Sequence, residues 1–317
     1  MRRLLDILRR CVTRGRHACE GHMDTQQFAE RDCPWAAGLS DCGLLRDRNE
    51  DAFLCDPGRR VFVVADGMGG HAAGDRASSE AVTNLDKALS VERLEQLAVA
   101  DENVTATELE ELLRRVNEAI LAVADERSDL KGMGCTVVLA VILGSKLHVS
   151  NLGDSRAYLI RGDDVRILTR DHSWAAVLAE QGQLTSDEAR NSPIRNQLTA
   201  SLGQKRMQQP AYSCVHMQAG DRVLLCSDGL WDELSDQEIS DLVHSHDDPR
   251  VVVQRLIESA NKAGGNDNIT AVVAFIGRTE NWQHDCRAEA RSAGATTAGV
   301  GVDARESAPL VSNDRER

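Results

Sequence analysis

Short runs of apolar residues, separated by turn residues, dominate the middle of this chain. Their length and their content of Val, Ile and Leu predict buried β-strands. Gly144-Ser145 separates one neighbouring pair of runs and Gly162-Asp163-Asp164 another, and such short turns join antiparallel strands. The predicted strands cover 61–65, 136–143, 147–152, 156–160, 165–168, 222–226 and 269–276, with a shorter apolar run at 52–54.

Segments with helical spacing and capping residues lie between these runs. Ser235 and Glu238 form a capping-box pair, and the Asp-Pro pair at 248–249 opens another helix. Asp171 and Ser173 are interpreted as caps of a further helix. Helices mixed with antiparallel strands favour an α+β sandwich over a doubly wound parallel sheet. The additional helices are predicted over 75–90, 105–124 and 173–182.

The two ends of the chain differ from this middle part. Residues 1–32 start with six arginines and several leucines at helical spacing, which predicts a basic amphipathic extension. Two interpretations stay open for it: a frayed extension, or residues 1–16 docking on an anionic membrane or a partner. Residues 279–317 contain few large apolar residues and are predicted to be a disordered tail. Residues 33–278 between them are expected to form one domain.

Charge and cysteine content narrow the possible functions. The chain has 37 basic and 50 acidic residues, a net charge of −13, so a nucleic-acid partner is not expected. Nine cysteines without a C-x-x-C pair indicate neither a zinc site nor a disulfide framework, and a reducing, cytoplasmic location is expected. The longest apolar run, 137–143, is far shorter than the roughly 20 residues of a membrane-spanning helix.

Aspartates stand at the ends of three predicted strands. Asp66 directly ends the first strand, Asp228 closely follows the sixth, and Asp267 precedes the last. A carboxylate at the rim of a sheet is held by rigid backbone and faces a cleft, as metal and catalytic sites require. Each has a Gly or Asn neighbour that permits close approach, and the Gly67 carbonyl is unshielded. Such hard oxygen ligands select Mg²⁺ or Mn²⁺.

A further acidic group lies upstream, where Glu50 and Asp51 follow Arg46. An arginine close to a cation cluster indicates an anionic substrate, because its guanidinium can bind two oxygens at once. A cysteine-dependent phosphatase loop is formally present between Cys42 and Arg48, but it lacks the small residues that cradle phosphate. The carboxylate cluster is therefore the favoured interpretation.

Five motifs in one order resemble those of the protein phosphatase 2C family. Because of Met68, the chain resembles the bacterial branch of that family. The resemblance covers about residues 32–277. It implies a four-layer αββα sandwich, with two antiparallel sheets flanked by helices, and a phosphatase domain at 33–278. The motifs are Ser40-Asp41-x-Gly43-x-x-Arg46-x-x-Asn49-Glu50-Asp51, Asp66-Gly67-Met68-Gly69-Gly70, Gly153-Asp154-Ser155-Arg156, Ser227-Asp228-Gly229 and Asn266-Asp267-Asn268.

The resemblance also implies a metal centre with two Mn²⁺ or Mg²⁺ ions and a third, weaker ion. Asp66 would bridge the two ions, Glu50 would act largely through water, and Asp154 would serve the third ion. The implied metal ligands are Glu50, Asp66, Gly67, Asp154, Asp228 and Asp267.

Three residues take catalytic roles by the same resemblance. Asp66 places the ions that activate the attacking water, Asp51 orients metal-bound waters, and Arg46 clamps the phosphate. Met68 stands where many eukaryotic relatives carry a histidine acid, and it cannot donate a proton. A metal-bound water is favoured over His71 for that step.

The implied activity is hydrolysis of phosphoserine and phosphothreonine in proteins. The expected partners are phosphorylated proteins and an opposing bacterial Ser/Thr kinase in signal transduction, and the enzyme is expected to be a cytoplasmic monomer. The competing hypothesis is a silent binding module that keeps the fold without catalysis. The presence of every expected carboxylate favours the enzyme.

Overall fold

A computed structural model of the chain describes residues 35–69 and 73–277. The predicted segments 1–32 and 279–317 lie outside the described residues. The described residues form eleven strands and eight α-helices. The strands are β1 Ala36–Asp41, β2 Asp51–Asp56, β3 Val61–Met68, β4 Gly134–Cys135, β5 Val137–Leu143, β6 Lys146–Leu152, β7 Arg156–Arg161, β8 Asp164–Ile167, β9 Ala211–His216, β10 Arg222–Cys226 and β11 Ile269–Phe275. The helices are α1 Ala73–Ala88, α2 Val91–Ala98, α3 Glu102–Glu126, α4 Trp174–Glu180, α5 Ser186–Arg190, α6 Asp228–Trp231, α7 Asp236–His244 and α8 Pro249–Ala263.

The strands form two antiparallel sheets. The first sheet has the order β1-β11-β10-β7-β8, and the second has the order β2-β3-β5-β6-β9 with β4 paired to β3. Gly144 and Gly162 have φ values of 57° and 56° in the two predicted hairpin turns, where a side chain would be strained. Arg161 pairs with Asp164, so the second turn contains two residues rather than the three that were predicted.

Helices cover the outer face of each sheet. Helices α1 to α3 bury residues such as Leu85 and Leu113 against Val63 and other residues of the second sheet. Helices α6 to α8 bury residues such as Leu256 against the first sheet. The predicted αββα sandwich is therefore confirmed. No helix in the described part of the chain is long and apolar enough to cross a bilayer.

The inner faces of the sheets meet in a third apolar layer. Successive strand residues point to opposite faces, so Val63 faces the helices while Phe62 faces the first sheet. Phe62 is fully buried and meets Trp35 edge to face, with ring centroids 5.7 Å apart. A Cβ on Gly38 would lie 2.5 Å from Phe53 Cε2. The sheets therefore approach too closely at that point for any larger residue.

Six elements were not predicted: β1, β4, β9, α2, α5 and α6, of which β4 has only two residues and α6 only four. The burial or the length of the others explains why. Strand β1 has the sequence AAGLSD, without β-branched residues, and β9 is half-buried along most of its length. Neither gives a continuous apolar run. Helices α2 and α5 have only eight and five residues, too short for a clear helical period.

Replacement of Phe62 by alanine tests this inter-sheet layer. We expect the free energy of unfolding to fall by about 3–5 kcal/mol, because the change removes a buried aromatic ring and leaves a cavity. Val99→Ala is the control, since Val99 is 87% exposed and its truncation should change stability by less than about 0.5 kcal/mol. Urea denaturation measures both, and similar losses in the two variants would contradict the inter-sheet position of Phe62.

Candidate metal centre

Asp66 and Asp51 lie opposite each other on neighbouring strands of the second sheet. The Asp66 amide donates to Thr136 Oγ1 at 3.0 Å, and its carbonyl accepts from the Thr136 amide at 2.8 Å. The prediction that Asp66 ends its strand is wrong, because Gly67 and Met68 continue β3 by pairing with β4. Two residues are too few for β4 to be visible in an apolar pattern.

The Asp51 carboxylate connects the two sheets. Its Oδ2 accepts hydrogen bonds from Ser227 Oγ at 2.8 Å and Thr270 Oγ1 at 2.6 Å, both belonging to the first sheet or its loops. Its Oδ1 is buried and has no partner within the described residues. One oxygen is therefore fixed, while the other remains available for a ligand.

The other predicted aspartates come from the first sheet and from loops. Asp228 is the first residue of α6 and is buried, and its Oδ1 also lacks a partner among the described residues. Asp154 is buried in the loop between β6 and β7. Asp267 is partly exposed in the loop before β11. The fold thus collects residues that are far apart along the chain.

Burial and mutual repulsion raise the pKa values of several of these carboxylates. Burial, followed by repulsion from Asp228 and Asp51, raises the pKa of Asp66 well above its usual value. Burial, followed by repulsion from Asp154 and Asp267, does the same to the pKa of Asp228. Burial raises the pKa of Asp51 to about 6, although Thr270 and Ser227 oppose this shift. A nearby cation would reverse these shifts, because it stabilises the ionised carboxylates.

The chemistry of these donors fits hard divalent cations. Three buried carboxylate oxygens, on Asp51, Asp228 and Asp232, have no partner among the described residues. Such atoms are costly unless an ion or another polar group pairs with them. Within residues 35–69 and 73–277, no three His, Cys, Asp or Glu side chains are grouped closely enough to form a metal site by themselves. Carbonyl and water oxygens commonly complete the coordination of Mg²⁺, and the Gly67 carbonyl and Glu50 acting through water fit that need.

Backbone contacts fix Glu50 and Gly67 beside α1. The Glu50 carbonyl accepts from Ser78 Oγ at 2.6 Å and from the Gly67 amide at 3.1 Å. A Cβ on Gly67 would lie 2.2 Å from the Gly74 carbonyl oxygen, and a Cβ on Gly74 would lie 2.1 Å from Glu50 Oε2. Both glycines are therefore required for this close approach. Burial and Asp75 raise the pKa of Glu50.

Arg46 lies at the exposed edge of this group. Its Nη2 donates to Asp267 Oδ2 at 2.6 Å, and its side chain is 54% exposed. The guanidinium therefore combines one contact to a predicted metal ligand with free access from solvent. A cation-binding interior with an arginine at its mouth is suited to an anionic group.

Two ion pairs near Asp154 were not predicted as part of the site. Arg156 donates to both carboxylate oxygens of Asp171, with its shortest contact at 2.6 Å, and Arg195 pairs with Asp232 at 3.0 Å. Burial, then Asp171 and Asp232, raises the pKa of Asp154 to about 7. Asp232 follows Asp228 by four residues, a helical spacing that could have pointed to it.

Of the two predicted helix caps, one is observed, and the acid of the reaction stays a prediction. Ser173 caps α4 by accepting from the Ala176 amide, as predicted, whereas Asp171 binds Arg156 instead. Met68 is half-buried at the end of β3, and His71 lies outside the described residues.

Comparisons with known proteins agree with this architecture. The sequence pattern of the family described as Protein phosphatase 2C matches residues 28–269. The chain is 36% identical over 237 residues to a serine/threonine phosphatase, Stp, of Listeria innocua, covering 74% of this chain and 92% of that protein. It is 37% identical over 246 residues to the phosphatase PstP of Mycobacterium tuberculosis, covering 76% of this chain and 44% of that longer protein.

A solved structure shows the same fold with metal. The catalytic domain of a serine/threonine phosphatase PstP, in complex with two manganese ions, superimposes with a TM-score of 0.66. It is 34% identical, and the match covers 76% of this chain and 97% of that domain. The chain belongs to the protein phosphatase 2C family.

Proposed function

We propose that this protein removes phosphate from phosphoserine and phosphothreonine in proteins, using two Mn²⁺ or Mg²⁺ ions. The observation that carries the proposal is the group of buried and half-buried carboxylates, with partnerless oxygens on Asp51 and Asp228 and with Arg46 at the mouth. Metal-free regulatory modules have no need to bury so much like charge, because each such group costs stability. The proposed metal ligands are Glu50, Asp66, Gly67, Asp154, Asp228 and Asp267.

The protein side chains have separate roles in this reaction. The bound cations supply positive charge for the phosphoryl oxygens and lower the pKa of a water. Arg46 binds the phosphate dianion and aligns it for attack. Asp51 uses its free Oδ1 to accept a hydrogen bond from a water at the centre and so orients that water, while Ser227 and Thr270 hold its other oxygen. Asp154 serves a third ion.

We further propose that the enzyme opposes a bacterial Ser/Thr kinase and acts in signal transduction as a cytoplasmic monomer. Within the described ranges, the cysteines at 55, 135, 214 and 226 are free thiols, which supports a reducing compartment. Residues 33–278 are proposed as the catalytic domain, since all the observed strands and helices fall inside that range.

Asp228→Asn tests the metal-dependent reaction. The change keeps the shape of the side chain but removes its charge, and we expect kcat/KM for a phosphothreonine peptide with Mn²⁺ to fall by more than about 100-fold, since even outer partners of metal ligands contribute about 10–100-fold. Asp163→Asn, at an exposed hairpin turn, is the matched control and should retain activity. Full activity of Asp228→Asn would contradict the proposed ligand.

The same variant should change stability in opposite directions with and without metal. In EDTA at pH 8, we expect Asp228→Asn to raise the Tm, because the raised pKa of Asp228 means that its ionised form destabilises the metal-free fold above that pKa. With Mn²⁺, the wild type should gain about 2.7 kcal/mol at 100 times the Kd, and the variant should gain less. Thermal unfolding measures both. Equal gains would remove Asp228 from the centre.

Arg46→Ala tests the phosphate clamp. We expect the KM for a phosphopeptide, and the Ki for inorganic phosphate, to rise about 10–100-fold, because a hydrogen bond to a charged group contributes about 1.5–3 kcal/mol. Arg48→Ala removes the same charge from the same exposed loop and should have a much smaller effect. If the two variants behave alike, Arg46 contributes only general positive charge.

A further inference from the structure

Two large apolar side chains stand in solvent immediately before Arg46. Leu44 is 65% exposed and Leu45 is 69% exposed. Other large apolar residues in the described ranges are also exposed, but these two are the only ones adjacent in sequence. Single exposed apolar residues are ordinary, whereas a cluster beside a functional site indicates a contact surface.

The loop that carries the leucines is held in this position by the segment before β11. The Leu44 amide donates to the Gly265 carbonyl at 2.7 Å. Gly43 has a φ of 74°, and a Cβ there would lie 2.1 Å from the Asp267 carbonyl oxygen. The loop is thus pressed against residues 265–267, while most of each leucine remains exposed.

Asn268 fixes both ends of the same loop. Its Nδ2 donates to the carbonyls of Cys42 at 3.0 Å and Arg48 at 2.8 Å. Its Oδ1 accepts from the Glu50 amide at 2.8 Å. The exposed leucines and the proposed metal ligand Glu50 are therefore tied to one side chain, so a substrate in the centre meets the leucines in a defined position.

We propose that Leu44 and Leu45 form an apolar surface that contacts substrate residues flanking the phosphorylated one, and that the enzyme prefers sites with large apolar flanks. This inference rests on the proposed phosphatase function. Leu44 and Leu45 are two residues and one residue before Arg46, which is proposed to bind the phosphate. An extended peptide advances about 3.3–3.6 Å per residue, so the two leucines can contact substrate residues within about three positions of the phosphorylated one. The net charge of −13 repels substrates that carry acidic residues beside the phosphorylated one.

Matched peptides test the preference. Two phosphothreonine peptides differ only in having Leu or Ser at the flanking positions, and the Mn²⁺-loaded full chain is assayed with each. We expect kcat/KM to be about tenfold higher for the Leu peptide, since that ratio corresponds to partial burial of one leucine side chain. In the double variant Leu44→Ala/Leu45→Ala, the ratio should fall to about twofold or less.

Val99→Ala is the control, because it removes an exposed apolar side chain outside this loop and should keep the wild-type ratio. A wild-type ratio near one, or an unchanged ratio in the double variant, would overturn the apolar surface while leaving the phosphatase function intact. If the protein hydrolyses neither peptide and also fails to hydrolyse p-nitrophenyl phosphate, the phosphatase function is overturned, and this inference with it.

Discussion

The hydrogen bonds from Ser227 and Thr270 to Asp51 join the two sheets at a polar part of their interface. Asp51 lies opposite Asp66 on the second sheet, whereas Asp228 follows a strand of the first. Neither sheet alone carries the whole group of carboxylates. The centre therefore depends on the stacking of the sheets, and the apolar layer around Phe62 provides that stacking. The same stacking of the sheets therefore stabilises the fold and assembles the site.

The choice of hydrogen-bond donors decides what the centre can bind. Asp51 and the backbone of Asp66 are held by neutral hydroxyl groups, and Thr270 is itself supported by Ser40 Oγ at 2.7 Å. Among the described residues, no arginine or lysine forms an ion pair with the innermost carboxylates, which are Asp51, Asp66, Asp154 and Asp228. Neutral donors fix a carboxylate without cancelling its charge. The negative field is consequently left for a cation to neutralise.

The parts of the fold that were predictable have a local signal. Buried strands such as β5 appear as continuous apolar runs, and Gly144 marks a turn that needs a positive φ. Asp66, Asp228 and Asp267 were proposed as ligands because glycine or asparagine stands beside them at predicted strand ends, whereas Asp154 was proposed only from the resemblance. The hydroxyl that holds Asp51 could not be found in this way, because Thr270 is 219 residues distant in sequence. Such pairings exist only once the two sheets are stacked.

From the interior to the surface, the centre is first negative, then positive and finally uncharged. The innermost carboxylates form a negative floor, Arg46 adds a positive group at the mouth, and Leu44 and Leu45 add an uncharged rim. A phosphorylated side chain on a peptide has the complementary order once cations occupy the floor: its dianion lies deepest, and its flanking residues lie outermost. A free phosphate or a small phosphate ester would use only the inner two layers. The third layer is therefore the part of the arrangement that favours a protein substrate.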